Sequence, residues 1–136
     1  MSNAYDSPLE ITYTWPVLAD WGTAAPADGV YSIKGPLGHK GQVLDIGVSV
    51  TEVFACDTTA AELNLGATAG AAEYANLVIP DGTAAGDHYG SAEDTDAITG
   101  THIPADQQVE VTVDVGVDSG TETGQGYIHF TIGWYK

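Results

Sequence analysis

Strict alternation of valine with polar residues between positions 109 and 118 constrains the fold of this chain more than any other feature. The apolar members are Val109, Val111, Val113, Val115 and Val117, and the polar members are Glu110, Thr112, Asp114, Gly116 and Asp118. Side chains of a β-strand point alternately to the two faces of a sheet, so this segment predicts a half-buried antiparallel strand. The fold must therefore contain a sheet that packs on a core with one face only.

The same period of two recurs in two other long segments. One covers residues 42–54, and its predicted apolar face is Leu44, Ile46, Val48 and Val50. The other covers residues 127–135, with an apolar face of Ile128, Phe130, Ile132 and Trp134. A Gly-rich polar loop, residues 118–126, separates this last segment from the valine strand. The two are therefore predicted to form a long hairpin.

Shorter segments complete the fold prediction. Four further strands are predicted at Ile11–Trp15, Val30–Lys34, Ala61–Leu65 and Leu77–Ile79, and the Ala-rich residues 70–76 are predicted to form one or two helical turns. We predict an all-β fold, an antiparallel β-sandwich that is jelly-roll-like, with roughly seven to eight strands. An immunoglobulin-like strand order fits the same spacing. Residues 1–22 are predicted to form an extended N-terminal arm, and residues 23–136 a single sandwich domain.

The charge balance limits the partners of this chain. It has 19 Asp and Glu, three Lys and no Arg in 136 residues, a formal net charge of −16. Binding to nucleic acid relies on neutralising phosphates, so we expect no nucleic-acid partner and no anionic membrane surface. No apolar run approaches the roughly 20 residues of a membrane-spanning helix, and the first residues do not resemble a signal peptide. The expected partners are proteins, neutral ligands such as sugars, and cations.

Residues that could carry chemistry are scattered along the chain. The run Glu93–Asp96 lacks the glycine and the bidentate glutamate of a calcium loop. There is no G-x-S-x-G elbow and no phosphate-binding loop, and the single cysteine, Cys56, is expected to be a buried, inert thiol. We expect no catalytic residues, no metal site, no cofactor and no enzymatic activity. Solvated side chains without i+2 or i+4 partners are expected for the four histidines, His39, His88, His102 and His129.

Aromatic and cationic side chains are the remaining resource for binding. The N-terminal segment is rich in aromatic residues and is interrupted by Pro8 and Pro16, which is typical of an arm that lies on a partner. The three lysines are the only residues that could bridge acidic surfaces. The candidate protein-contact residues are therefore Tyr5, Ile11, Tyr13, Trp15, Trp21, Lys34, Lys40 and Lys136.

The order of five segments between residues 38 and 136 carries a further signal. They are the strand at 40–54, the Ala-rich stretch 65–75, Ala85-Gly86-Asp87, the segment Ile103–Asp106 before the valine strand, and a Gly-rich loop followed by a strand that closes on Gly133-Trp134-Tyr135. In this order they resemble small virion structural proteins of tailed bacteriophages, of the capsid cement or decoration type. The resemblance implies a β-sandwich or jelly roll on the outside of a capsid, often a trimer, that clamps neighbouring major capsid proteins.

The expected function is that of a non-enzymatic capsid cement protein, made in the host cytoplasm and located on the virion exterior. It would bind the outside of a phage head as a homo-trimer and stabilise the lattice of the major capsid protein. The alternative is a receptor- or carbohydrate-binding β-sandwich module of a phage fibre or surface assembly, in which Trp and Tyr side chains stack on sugars. A hydrolase that uses two carboxylates is a third hypothesis.

Overall fold

A computed structural model describes residues 9–22, 30–56, 60–114 and 122–136, and within these ranges the chain forms nine β-strands and no helix. The strands are β1 (Leu9–Thr14), β2 (Ala19–Asp20), β3 (Val30–Lys34), β4 (Lys40–Ala55), β5 (Ala61–Gly66), β6 (Ala75–Ile79), β7 (His88–Gly90), β8 (Gln108–Asp114) and β9 (Thr123–Tyr135). The predicted all-β fold is confirmed. The helical turns predicted at residues 70–76 are wrong, because this segment forms bends and turns and then enters β6. Nothing in the described residues forms a helix able to cross a lipid bilayer.

The strands form two antiparallel sheets that pack against each other, which confirms the predicted β-sandwich. Sheet A has the order β1-β9-β4-β7, with β2 also paired to β9, and sheet B has the order β3-β8-β5-β6. The ring of Trp15, just after β1, lies 5.0 Å from the ring of Tyr31 in β3, so these two edge strands share one side of the sandwich. The edges formed by β6 and β7 lie on the other side.

The core lies between the sheets and is built by the predicted alternation. In β8, Val109, Val111 and Val113 are at most 2% exposed, and β9 contributes Ile128, Phe130, Ile132 and Trp134 from the facing sheet. Burial of each aliphatic or aromatic side chain of this size contributes roughly 1.5–3 kcal/mol to the free energy of folding. Val115 and Val117 lie outside the described residues.

The predicted apolar face of β4 is wrong at one position, Leu44. The register of β4 against β9 shifts between Val43, which is paired with Ile132, and Asp45, which is paired with Thr131. This β-bulge adds one residue and changes the phase of the side chains. Val43 is consequently buried at 2% exposure, whereas Leu44 is 43% exposed on the outer face.

The long hairpin predicted from the valine strand and the last strand does not form. β8 belongs to sheet B and β9 to sheet A, so the two strands face each other across the core and are not hydrogen-bonded. A long polar connection does not fix the pairing of its flanking strands as a two-residue turn does. Both strands instead use their apolar faces to cover the same core.

The described part of the predicted N-terminal arm belongs to sheet A. β1 pairs with β9 from Leu9, opposite Trp134, to Thr14, opposite His129, and β2 pairs with the start of the same strand. Residues 1–8 lie outside the described residues. The sandwich therefore begins no later than Leu9, and not at residue 23 as predicted.

Candidate interaction surfaces

All three cationic residues of the chain lie at one end of the sandwich. Lys34 ends β3 and Lys40 begins β4, so only the turn 35–39 separates them. Lys40 is paired with Tyr135, which places Lys136 next to it across the sheet. All three lysines are exposed. We define the lysine end as Lys34, Lys40, Lys136 and the turn 35–39.

The turn at the lysine end is held against the core by the ring of Trp134. A Cβ atom on Gly35 would lie 2.5 Å from this ring, and one on Gly41 would lie 2.6 Å from it. Trp134 is only 1% exposed, and its Nε1–H donates a hydrogen bond to the Tyr13 hydroxyl at 3.0 Å. The close approach of the turn to the indole therefore requires glycine at both positions.

Hydrogen bonds fix the tip of the same turn. Gly38 has a φ of +75°, and its N–H donates to Oδ1 of Asp106 at 2.8 Å. The N–H of His39 donates to the carbonyl of Pro36 at 3.0 Å. Leu37 projects from this fixed tip and is 85% exposed. An apolar side chain that is already held in place loses little conformational entropy when it binds a partner.

The lysine charges point to solvent and are available to a partner. In the described ranges, no lysine nitrogen lies within 4.0 Å of a described carboxylate oxygen, and the close contact of a basic side chain with a carboxylate found there joins His129 and Asp45. Charges at the rim of an interface steer association and select partners of the opposite sign. The lysine end is therefore suited to an acidic protein surface.

The other predicted contact residues divide between the core and the edge. Tyr5 lies outside the described residues. Ile11, Tyr13 and Trp15 are half-buried, and Tyr13 stacks on Phe130 with ring centroids 5.1 Å apart. Trp21 is 1% exposed, and its Nε1–H donates to the carbonyl of Glu62 in sheet B at 2.9 Å. Trp21 therefore links the two sheets and is not a surface contact residue.

Two of the four histidines meet on the outer face of sheet A. His88 in β7 is opposite Ser49, and His129 in β9 is opposite Gly47, so the two side chains approach each other above β4. Their Nε2 atoms are 2.6 Å apart, and their rings are stacked with centroids 4.9 Å apart. The prediction that each histidine is separate is wrong for this pair. Elsewhere, His102 Nδ1 contacts the hydroxyl of Tyr135.

A carboxylate and a hydroxyl stand behind the histidine pair. Nδ1 of His129 is 3.9 Å from Oδ2 of Asp45, and the Ser91 hydroxyl donates to Oδ1 of Asp45 at 2.7 Å. Burial lowers the pKa of His129 below its ordinary value, and the nearby His88 lowers it further, whereas Asp45 acts in the opposite direction. The environment of His129 thus favours the neutral imidazole.

A shallow depression of about 400 Å³ lies at the edge where β6 and β7 meet. Asp94 in its wall accepts a hydrogen bond from the N–H of Val78 at 3.1 Å and so covers part of the β6 edge. Burial raises the pKa of Tyr89 above its ordinary value, and the charges of Asp94 and Glu93 add to this effect. Its lining residues are Asn76, Val78, Pro80, Tyr89, Asp94 and Asp96.

Similarity to known proteins adds no assignment to these surfaces. Comparisons of the chain with protein-family models, with curated proteins and with solved structures found no match. Cys56 is half-buried, whereas the sequence analysis predicted a buried thiol.

Proposed function

We propose that this protein is a non-enzymatic capsid cement protein that binds the exterior of a phage head and stabilises the lattice of the major capsid protein. The observation that carries the proposal is the lysine end, where the three cations of a chain with net charge −16 share one end of the sandwich with Leu37, the most exposed large apolar side chain among the described residues. Homo-trimer formation and location on the virion exterior are part of this proposal.

The lysine end has the physical properties of a docking surface for an acidic capsid protein. Within a Debye length of roughly 10 Å at 0.1 M salt, three positive charges attract an acidic surface and disfavour a basic one, so they orient the protein with this end toward the capsid. Leu37, on a turn fixed by Trp134 and Asp106, would be buried on contact, which contributes roughly 1.5–3 kcal/mol. The acidic remainder of the surface would face solvent, where it favours solubility and disfavours contact with packaged DNA.

The order of the strands supports a jelly roll as the finer fold. Apart from β2, strands that follow one another in the chain occupy matching positions in the two sheets, 1-9-4-7 and 3-8-5-6. The matching pairs are β1 with β3, β4 with β5, β7 with β6, and β9 with β8. A chain that crosses between two sheets in this way winds as antiparallel strand pairs, as in jelly rolls, which are common in viral capsid proteins. We therefore propose that the sandwich is a jelly roll.

Binding to undecorated phage heads tests the proposal. We expect the purified protein to bind such heads stoichiometrically and to raise their melting temperature. The variant Leu37→Asp should weaken this binding at least about tenfold, because a central apolar anchor is lost. The matched control is Val53→Asp, since Val53 is also exposed, at 46%, but lies near the far end of β4. It should bind within about twofold of the wild type, as expected for surface changes outside an interface.

Two outcomes would contradict the proposal. The first is binding of the wild-type protein to heads no tighter than that of an unrelated acidic protein. The second is an equal loss of binding in Leu37→Asp and Val53→Asp, which would remove the lysine end as the docking surface. Circular dichroism of both variants would check that each retains the β-sandwich.

The depression beside Tyr89 favours a second candidate function, a carbohydrate-binding module. A tyrosine ring flanked by the oxygens of Asp94 and Asp96 offers a stacking surface and hydrogen-bond acceptors for sugar hydroxyls. A glycan array would test it. Binding that is lost in Asp96→Ala and retained in Leu37→Asp would support this function over cementing.

A further inference from the structure

Two imidazole nitrogens converge on the outer face of sheet A, away from the lysine end and outside the proposed function. Nε2 of His88 and Nε2 of His129 are 2.6 Å apart, and both residues belong to strands that flank β4. The backbone ladders therefore fix their Cα positions on the two sides of β4, with His129 opposite Gly47 and His88 opposite Ser49. Imidazole nitrogen is a favourable ligand of Zn²⁺, Cu²⁺ and Ni²⁺. We propose that His88 and His129 chelate one such ion, Zn²⁺ foremost, through these two nitrogens.

The geometry of the pair is close to that of a chelate. Two Zn–N bonds of about 2.0–2.1 Å at a tetrahedral angle place the ligand nitrogens roughly 3.3 Å apart. The Nε2 atoms must therefore separate by about 0.7 Å from their present hydrogen-bonded distance. His88 is exposed and lies in the three-residue edge strand β7, so its ring has room to rotate. The ion replaces the proton shared between the two Nε2 atoms, and neutral His88 then carries its proton on Nδ1.

Glycine at position 47 leaves room for the pair. A Cβ atom on Gly47 would lie 2.7 Å from Nε2 of both His88 and His129, closer than real Cβ contacts. Any larger residue would push the two nitrogens out of their common position. The absence of a side chain at Gly47 therefore leaves space for the two nitrogens directly above β4.

Asp45 stands where a metal-bound histidine needs a second partner. Histidines that bind metals usually donate their other ring N–H to a carboxylate or a carbonyl, which sets the tautomer and orients the ring. Oδ2 of Asp45 is 3.9 Å from Nδ1 of His129, and the Ser91 hydroxyl holds the other carboxylate oxygen at 2.7 Å. At 3.9 Å this contact is electrostatic and not a hydrogen bond. The negative charge of Asp45 still favours a proton on Nδ1 of His129, which leaves the lone pair of Nε2 for the ion.

The remaining coordination positions face solvent. Among the described residues, no group of three or more His, Cys, Asp or Glu is placed to hold a metal ion. The ion therefore has two protein ligands from this part of the chain, and water completes its shell. Ca²⁺ and Mg²⁺ prefer oxygen ligands, so they should not compete for the two nitrogens despite the acidity of the protein.

Titration of the metal-free, full-length protein with ZnCl₂ tests the proposal. The NMR ring signals of His88 and His129 should shift together and saturate at one ion per chain, while those of His39 and His102 should not shift. By calorimetry, His88→Gln and His129→Gln should each lower Zn²⁺ affinity at least tenfold. Asp45→Asn should lower it by about tenfold, as expected for a residue that acts through a ligand. CaCl₂ at the same concentrations should leave all four ring signals unchanged.

The matched control is His39→Gln, which removes an imidazole at the lysine end. It should bind Zn²⁺ within twofold of the wild type, and each variant is checked by circular dichroism. Zn²⁺ should also raise the melting temperature of the wild type and not that of His88→Gln, because only a folded pair binds the ion. Equal Zn²⁺ affinity in the wild type and the His88→Gln variant would overturn the proposal. Because the lysine end is not involved, loss of head binding would not affect this result.

Discussion

The outer face of sheet A is open to solvent at the paired residues Thr12 and Thr131, whereas the middle of the outer face of sheet B, around Gly66 and Thr112, is covered by the loop between β5 and β6. On sheet A, Thr12 is exposed and Thr131 is half-buried, and their hydroxyls are hydrogen-bonded at 2.9 Å on the surface. On sheet B, Asn64 and Thr112 are only 2% and 3% exposed. The polar residues that alternate with core residues along a strand therefore have different roles in the two sheets. Those of sheet A form a surface, and those of sheet B support a second layer of chain.

Backbone contacts hold the covering loop in place. The N–H of Gly70 donates to the hydroxyl of Thr112 at 2.8 Å, and the N–H of Ala67 donates to the carboxylate of Glu73 at 3.1 Å. The loop returns to the sheet where the N–H of Tyr74 donates to the carbonyl of Leu65 at 3.0 Å. The middle of the outer face of sheet B is thus covered by the folded chain, whereas the outer face of sheet A carries the histidine pair at its surface.

The largest expected difference between the two outer faces is the loss of stability when a glycine is replaced by alanine. A Cβ atom on Gly66 would collide with the backbone of Ala71 in the covering loop. We expect Gly66→Ala to lower the free energy of unfolding by about 2–3 kcal/mol, because backbone atoms cannot move aside as a side chain can. Gly133→Ala on the open face is the control, since its Cβ would meet only the side chain of Leu44, at 3.1 Å. It should cost less than about 1 kcal/mol. Urea unfolding measures both, and equal losses would contradict the comparison.

A smaller difference is expected between two threonines. Thr112→Val removes the acceptor of the Gly70 N–H beneath the loop, and the loss of this partly buried hydrogen bond should cost about 0.5–1.5 kcal/mol. Thr131→Val removes a surface hydrogen bond to Thr12, so it should change stability by no more than about 0.5 kcal/mol. Thermal unfolding of both variants gives the two values. Similar values would mean that the loop does not depend on Thr112.

The smallest expected effect is a pH dependence of stability that comes from Tyr13, which packs against the core between the two sheets. Burial raises the pKa of Tyr13 above its ordinary value of 10.0, and the hydrogen bond from Trp134 lowers it in part. As the pH rises, the unfolded chain therefore loses the Tyr13 proton at a lower pH than the folded protein does. The contribution of Tyr13 to the free energy of unfolding is fully present below pH 10 and is lost as the pH rises through the pKa of the folded state. Tyr13→Phe should cost about 1 kcal/mol at pH 8 through the lost acceptor for Trp134.

The difference in stability between the wild type and Tyr13→Phe should shrink as the pH rises above 10. Melting temperatures between pH 8 and pH 11 would show this trend. Tyr127→Phe on the open face serves as the control for removal of a phenol, since Tyr127 is 44% exposed. A difference between wild type and Tyr13→Phe that stays constant over this range would show that Tyr13 is not responsible.

Most strands could be predicted from the sequence because their pattern is local. Val30–Lys34 has the predicted bounds, and the valine strand alternates as predicted through Asp114. The exposure of Leu44 could not be predicted, because a bulge depends on the partner strand. The pairing of β8 and β9 was wrong for a related reason. Membership of a sheet depends on which other strands cover the core, and a long polar loop carries no information about it.

The candidate sites were less accessible to sequence analysis. Lys34 and Lys40 are neighbours across one turn, so their proximity was visible, but Lys136 joins them only through the register of β4 and β9. The histidine pair had no sequence signal. His88 and His129 are 41 residues apart, and they meet only because β7 and β9 flank the same strand. β7 has three residues, too few to show a period.

The position of β9 in sheet A has a consequence for the order of folding. β1, β2 and β4 all pair with this strand, and Tyr13 and Trp134, joined by a hydrogen bond, are 121 residues apart in the chain. Closing so long a loop costs entropy before the contacts compensate for it, so β-sandwiches of this kind fold in roughly milliseconds to seconds. Until β9 docks, the long edge of β4 stays unpaired and open to other chains. Docking of β9 is therefore the step that pairs the long edge of β4 and removes this site of association between chains.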